Sequence, residues 1–359
     1  MALDETIFLT GFPGFIAGRL VQELATAAAG GTRFQLLVQP DFLSRAREDV
    51  SRISEKTGTP VSHFRIIEGD ITRADLGMSQ VDLERARAEA TNIFHLAAIY
   101  DLGVARALAL RVNVEGTRNV NRFAQEVKGL RRYHYVSTCY VAGLREGRIL
   151  ETELRHEAGF RNYYEETKYL AELEVEELKA SLPVTIHRPA VVCGDSRTGE
   201  TAKYDGIYYL IHYLLKWPGL LTLFNIGNLE VRLNLVPVDF VVAGMAALAH
   251  DERSVGKTVQ LADPNPLTTH ELFEAIAGAM TSKSSRLTFP AALVHRTLKL
   301  PLSPRVTGMP HAAVPYFFLD QSYDTAQARE FLDPYGVRCP PFSDYVQALV
   351  DFATRHPRL

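Results

Sequence analysis

Thr6-Ile7-Phe8-Leu9-Thr10-Gly11-Phe12-Pro13-Gly14-Phe15-Ile16-Ala17-Gly18, running into Arg19-Leu20-Val21-Gln22-Glu23-Leu24, decides the fold. Its first five residues are short, apolar and β-branched, the composition of a buried strand. Gly11 and Gly14 then mark a turn. Leu20, Val21 and Leu24 recur at helical spacing, with Gly30-Gly31 as the stop. A glycine-rich turn between a strand and a helix lets the backbone approach a pyrophosphate, while the helix N-terminus offers free N–H groups and the positive end of its dipole. The spacing Gly11-x-x-Gly14-x-x-Ala17 differs from G-x-G-x-x-G, and Gly18 is an alternative close-packing point for the helix. Placed in the first strand–turn–helix, the stretch predicts a dinucleotide site on Thr10, Gly11, Phe12, Pro13, Gly14, Phe15 and Ile16. Arg19 reads equally as a phosphate contact or a solvated surface cation.

Working outward, Phe34–Val38, Phe64–Ile67, Asn92–Leu96 and the segment opening at Tyr133–Val136 repeat the apolar strand pattern. Between them lie helical stretches at Phe42–Lys56, Val81–Glu89 and Val104–Val127. Strands that are apolar throughout, joined by helices, form a parallel sheet covered on both faces. The expected class is therefore α/β, a Rossmann-like doubly wound parallel sheet with a smaller C-terminal α/β substrate lobe. Residues 1–195 form the nucleotide domain, 231–250 return to it, and 196–359 are mainly the substrate lobe. Strands are expected at Val231–Val238 and Lys257–Leu261, and helices at His270–Met280 and Asp344–Arg355.

Four other places bear on the nucleotide. The second strand ends at Gln39, with Asp41 close by and Arg45 in the next helix. A carboxylate at that end would take a ribose 2′-OH and an arginine a 2′-phosphate. No carboxylate occupies the strand end itself, which tilts the reading slightly to NADP(H) over NAD(H). Asp70-Ile71 follows the third strand, as an adenine contact or a simple turn. His95 reads as a packed strand residue or a site residue, and Leu96, Ala97 and Ala98 leave room for the adenosine ribose.

Tyr164 and Lys168 lie four apart in a stretch of strong helical character, so both share one face. A tyrosine that moves protons near neutrality needs its phenolate stabilised, and an ammonium one turn away does that. Tyr163 has only Thr167 at the same spacing, so Tyr164 is preferred. A hydroxyl at the end of the fifth strand would polarise the substrate oxygen beside the phenol. Thr138 is the choice and Ser137 the runner-up. Pro189, Val191 and Val192 would line the nicotinamide face. Asn113, disfavoured in mid-helix, either bridges to the catalytic region through water or makes a structural hydrogen bond.

Taken together, TGFPGFIAG, Gly69-Asp70, HLAA, NVEGT, YVSTCYVAG, the Tyr164/Lys168 pair and HRPAVVCGD resemble the extended short-chain dehydrogenase/reductases over roughly residues 5–195. VRLNLVPVDFVVAGMAALAH extends the resemblance. STCYVAG, NYYEETKYLAE and NLVPVDFV are most similar to fatty acyl-CoA reductases and to the thioester reductase domains of carboxylic acid reductases and peptide synthetases. The resemblance implies an enzyme with NAD(P)H at Gly11, Gly14 and Ala17, a Thr138–Tyr164–Lys168 active site, and hydride delivery to a carbonyl or acyl thioester. Ala17 stands where glycine is commoner, and Gln39 where NADPH-dependent members carry arginine. The expected substrate is lipophilic: a fatty aldehyde, a ketone, or a thioester on CoA or a carrier protein. Tyr100, Cys139, Tyr140, Lys203 and Tyr208 are the residues expected against it, within an aromatic lobe that also holds Tyr204, Tyr209, Tyr213, Trp217 and Phe224. Two other functions fit the same scaffold. One is an NAD-dependent nucleotide-sugar epimerase or dehydratase, using Lys203, Lys216 and Arg232 on a diphosphate. The other is a non-catalytic NADP-binding regulator.

The bulk composition agrees. With 359 residues, 47% hydrophobic and 23% charged, the chain can bury a large core. Its net charge of -3 shows no basic excess for nucleic acid. Cys139, Cys193 and Cys339 form no Cys-x-x-Cys pair, the pattern of reduced thiols in a cytoplasmic protein without a zinc site. The N-terminus, with Asp4 and Glu5, does not read as a signal peptide. His212, Lys216 and Pro218 interrupt the apolar run Ile207–Phe224, which excludes a spanning helix and leaves a weak membrane-surface contact. A monomer or a homodimer is expected.

Overall fold

In this computed structural model residues 5–27 and 31–359 are described. Asp4 and Gly30, used above for the N-terminus and the first helix stop, lie outside them. Seven strands form one sheet: β1 (Glu5–Thr10), β2 (Thr32–Val38), β3 (Phe64–Glu68), β4 (Asn92–His95), β5 (Arg132–Val136), β6 (Val184–Pro189) and β7 (Thr258–Leu261). Their order across the sheet is β7-β6-β5-β4-β1-β2-β3, and every pairing is parallel. Ile7, Phe8 and Leu9 are all buried, because helices cover both faces.

Helices α1 (Phe15–Ala27), α2 (Leu43–Thr57), α3 (Gln80–Glu89), α4 (Gly116–Glu126), α5 (Tyr163–Leu178) and α6 (Val238–Leu248) supply those covers. Leu20, Val21, Val50, Val241 and Met245 from α1, α2 and α6 pack on one face. Leu83, Val120, Phe123 and Val175 from α3, α4 and α5 pack on the other. The fold is thus the expected doubly wound Rossmann-like sheet. Strand order reverses between β1 and β4, so a crevice opens at their C-terminal ends, the place where such sheets take ligands.

Two elements differ from the sequence reading. The helix expected over Val104–Val127 is a short helix (Arg106–Ala109), a π-helical turn (Leu110–Glu115) and then α4. Asn113 sits in that π turn, where its side-chain carbonyl accepts from Ile99 N at 2.9 Å. The strand expected over Val231–Val238 shrinks to Leu235–Pro237, paired with Val191–Cys193 outside the main sheet. Pro237 caps α6, so helix begins at Val238, and Asp239 in its first turn accepts from Ser196 N and Oγ. The strand near Lys257–Leu261 is β7, at the edge of the main sheet beside β6.

A second core lies beyond the sheet. Helices Thr269–Thr281, Phe342–Arg355 and Tyr208–Leu215 meet around Phe273, Tyr345, Leu349 and Ile211. Thr268 starts the first of them with a reciprocal cap, accepting from Glu271 N while the Glu271 carboxylate accepts from Thr268 N.

Candidate active site

Two glycines of the first turn are required by space. Gly11 has φ +93°, and a Cβ there would stand 2.8 Å from Ala97 N. A Cβ on Gly14 would stand 2.7 Å from Gly11 O. Gly18 carries no such demand, because a Cβ there would meet only the Phe12 ring at 4.0 Å. Close packing falls instead to the buried methyl of Ala17. Exposed backbone at Gly14, with half-buried Phe15 and Ile16 opening α1, leaves helix N–H groups facing the crevice. That bare cradle fits a dinucleotide pyrophosphate.

Several expected nucleotide contacts have other duties. Phe12 is buried in the core beneath α1, and Pro13 is buried beside it. The Thr10 hydroxyl donates to His95 Nδ1 at 2.8 Å and accepts from Ala97 N at 3.2 Å. His95 Nε2 donates to Thr117 Oγ1 at 3.0 Å. Burial first, and Lys168 second, hold His95 down to about 3, so it is a neutral tie between β1, β4 and α4. Asp70 Oδ1 accepts from Thr72 N, which makes a local turn, and Ile71 is buried against Gly116. Asn113 Nδ2 donates to Thr167 Oγ1 at 3.0 Å, so its amide is spent on structure. Arg19 is not a free surface cation: it pairs with Asp195 at 2.8 Å and Glu200 at 2.6 Å. Gln39 and Arg45 are exposed past β2, Arg45 being only 3.9 Å from Asp49. Leu96 and Ala97 are half-buried and Ala98 exposed at the crevice edge, while Pro189 is buried at the end of β6. Val192 is half-buried and packs on the main core.

The chemistry-bearing residues converge. Asn162 caps α5 by accepting from Glu165 N at 3.0 Å, which starts the helix so that Tyr164 and Lys168 both turn inward. Tyr164 is buried, and burial raises its phenol above the usual range, while the Thr138 hydroxyl bonded to it pulls the other way. Thr138 Oγ1 also accepts from Tyr140 N at 3.2 Å, which fixes its rotamer. Ser137 is committed elsewhere: its hydroxyl donates to Glu172. That buried carboxylate, which also takes Arg188 Nε at 2.8 Å, thus removes Ser137 and leaves Thr138 at the phenol. Lys168 Nζ donates to Tyr135 OH at 2.9 Å and Val136 O at 2.8 Å, rather than reaching straight to the Tyr164 phenol. Burial brings Lys168 down to about 7, with Glu172 opposing.

The Tyr100 ring meets Tyr164 edge-on at 5.0 Å and forms one wall of a cavity of about 180 Å³. Tyr140, Val191, Lys203, Asp205, Tyr209 and Tyr316 also line it. Val191, expected at the nicotinamide, faces this cavity. Lys203 Nζ lies 5.0 Å over the Tyr100 ring and 3.5 Å from Asp205. Two expected substrate residues are absent from the lining. Tyr208 is buried in the second core, where its OH accepts from Gly194 N, and the next residue, Tyr209, takes its place. Cys139 is buried with its thiol on Arg188 O at 3.1 Å. Of the wider aromatic set, Tyr204 OH bonds His356 O, Phe224 stacks near Phe289, and Trp217 points to solvent. Arg232, offered for a diphosphate, donates to Pro266 O at 2.6 Å.

Sequence reasoning missed Glu172, Tyr316 and the Arg161–Glu165 pair. Tyr316 donates to Glu165 and accepts from Asn162 Nδ2 at 2.7 Å, which joins the cavity wall to the start of α5. Arg161 stands over the Tyr316 ring at 4.9 Å. Nothing in the sequence marks Glu165 or Glu172, and only the fold shows that both are buried.

The family described as Male sterility protein matches residues 9–245, about two thirds of the sequence. The chain belongs to the male sterility protein family. Fatty acyl-CoA reductase wat of Drosophila melanogaster is 26% identical over 286 residues, covering 69% of this chain and 54% of that protein. Glycine betaine reductase ATRR of Emericella nidulans is 28% identical over 286 residues, covering 75% of this chain and 22% of that protein. The chain thus spans about half or less of these relatives' length. Among solved structures, the terminal R domain of the myxalamid PKS-NRPS pathway shares the fold at TM-score 0.83 and 24% identity, with 100% of this chain and 92% of that one covered. The sequence resemblance to extended short-chain reductases of the fatty acyl-CoA and thioester type therefore holds. Both named relatives are reductases.

Proposed function

We propose that the chain reduces an acyl thioester or aldehyde of modest size with NAD(P)H, with Tyr164 as the proton donor. One observation carries this reading: the buried Tyr164 phenol, bonded to Thr138, abuts Tyr100 in the wall of an apolar cavity. NAD(P)H, when bound, supplies the hydride. The Gly11–Ile16 turn offers the backbone for its pyrophosphate, and Lys168 the cation for its nicotinamide ribose. Thr138 and Tyr164 present two hydroxyls to a carbonyl oxygen that gains negative charge as hydride arrives. Because burial raises the phenol's pKa, Tyr164 holds its proton across ordinary pH and gives it to that oxygen. With a thioester, one hydride and one proton yield the aldehyde and a free thiol.

The cavity narrows the substrate. Its volume of about 180 Å³ is close to the ~150 Å³ that takes up benzene in an engineered core. An aromatic or short acyl group fits, and a longer chain must run outward past Lys203. The lining is mostly tyrosine and apolar surface, which suits acyl groups better than the diphosphate of a nucleotide sugar. NADP(H) is our choice of cofactor, since Arg45 stands exposed past β2 and no carboxylate occupies that strand end. The three free thiols fit a cytoplasmic setting.

Steady-state oxidation of NADPH and NADH against benzoyl, hexanoyl and palmitoyl thioesters and aldehydes tests all three points. Turnover is expected with the first two acyl groups and less with palmitoyl. No turnover with any of them overturns the reading.

A further inference from the structure

Beyond residue 245, where the family match ends, the surface changes character. No Asp or Glu occurs between Glu274 and Asp320, while Lys283, Arg286, Arg296, Lys299 and Arg305 all fall there. These five are exposed, and none forms an ion pair with a carboxylate among the described residues. Between them stand Leu287, Leu293, Leu300 and Leu302, each at least half exposed. A soluble surface gains nothing from this mixture, because both the leucines and the unpaired cations are left to water.

A second segment joins the same region. Phe224–Asn225 pairs with Leu287–Thr288, and Arg286 N donates to Leu223 O at 2.9 Å. Just before it, Trp217 begins the short helix Pro218–Leu221 and is 68% exposed, with Leu220 also exposed. Segment 206–229 contains no acidic residue either. The helix Ala291–Leu298 packs on Ser303–Thr307, which packs on Tyr208–Leu215, so these pieces form one continuous outer lobe.

We propose that this basic, leucine-rich lobe, with Trp217, docks the protein on a bilayer surface bearing anionic phospholipid. Trp and Leu seat at the boundary of headgroup and acyl chain, while Lys and Arg meet the phosphates. Protein interfaces instead concentrate apolar residues in a packed centre and are depleted of lysine. Here cation and leucine alternate along the chain, from Arg286-Leu287 to Lys299-Leu300 and Leu302 with Arg305. Among the described residues no helix is long and apolar enough to cross a membrane, so the contact lies on the surface. The inference stands apart from the proposed reaction, since none of these residues lines the cavity.

Trp217 is the sole tryptophan and reports directly. Intrinsic emission of the full chain is followed while vesicles of phosphatidylglycerol and phosphatidylcholine are added. The expected result is a blue shift, stronger than with phosphatidylcholine alone, reduced by salt and quenched by lipids brominated in the acyl chain. R296E/K299E is expected to weaken partitioning about tenfold or more, at ~1 kcal/mol for each basic residue near the surface. Circular dichroism and unchanged turnover of a soluble substrate show that this variant folds. Unshifted wild-type emission with every vesicle overturns the proposal. So does a shift produced only by an acidic carrier protein, or one that appears with rising protein concentration and no lipid.

Discussion

The sheet half and the outer lobe use charge in opposite ways. Around the sheet, cations are spent on the chain itself: Arg19 on Asp195, Arg65 on Asp82, Arg161 on Glu165 and Arg188 on Glu172. The side chains of the last two pairs are buried: Arg188–Glu172 ties β6 to α5 and, through Ser137, to the end of β5, while Arg161–Glu165 ties the start of α5 to Gly143 O. In the lobe, Lys283 to Arg305 meet no carboxylate among the described residues, and the leucines beside them face solvent. The first arrangement is set by folding. The second is set by whatever lies outside.

The strongest test of that contrast is Glu172→Leu. It strands the buried Arg188 guanidinium and the Ser137 hydroxyl, and a broken buried pair costs ~3–5 kcal/mol. Thermal or urea unfolding should show the full loss. A change under 1 kcal/mol would mean that the sheet half does not depend on its internal pairs.

Next comes Tyr164→Phe, which keeps the ring packing with Tyr100 and removes only the proton donor. A ~10³-fold fall in kcat is expected, with the melting temperature and cofactor KM nearly unchanged. Equal activity would return the chain to the non-catalytic reading.

A smaller effect is in pH. Lys168 is held down to about 7 by burial, so its ammonium is present below that pH and lost above it. If the ammonium serves the cofactor, kcat/KM for reduction falls as pH rises from 6 to 9, and Lys168→Met flattens the limb. The stability contribution has the opposite slope. The unfolded lysine keeps its proton up to about 10.5, so stability is gained as pH rises through 7 towards that value.

The smallest effect is in the lobe. R296E/K299E should move unfolding by less than ~0.5 kcal/mol, as exposed substitutions do, although it changes what the surface binds. A large destabilisation would show that the lobe's charges belong to the fold after all.

Much of the site was legible because it is local. Gly11 and Gly14 sit in one turn, Tyr164 and Lys168 on one helix turn, and Thr138 at the tip of the strand before them. What failed was one residue out of phase or far along the chain. Tyr208 and Tyr209 look alike in a helix with aromatic residues on both sides, and only packing shows which one faces the cavity. Asn113, His95 and Thr10 have the right chemistry for a ligand, yet their polar atoms are spent on one another's strands and helices. Tyr316 reaches Glu165 across about 150 residues, a distance no periodicity reports.

Sequence alone determined the doubly wound sheet, its crevice and the residue types placed there, since strand composition, helical spacing and turn glycines act over a few neighbours. Tertiary structure alone decided which serine or threonine faces the phenol, which tyrosine lines the cavity and which carboxylates are buried. Those choices depend on desolvation and on hydrogen bonds between segments far apart in the chain, and neither exists until the chain is packed.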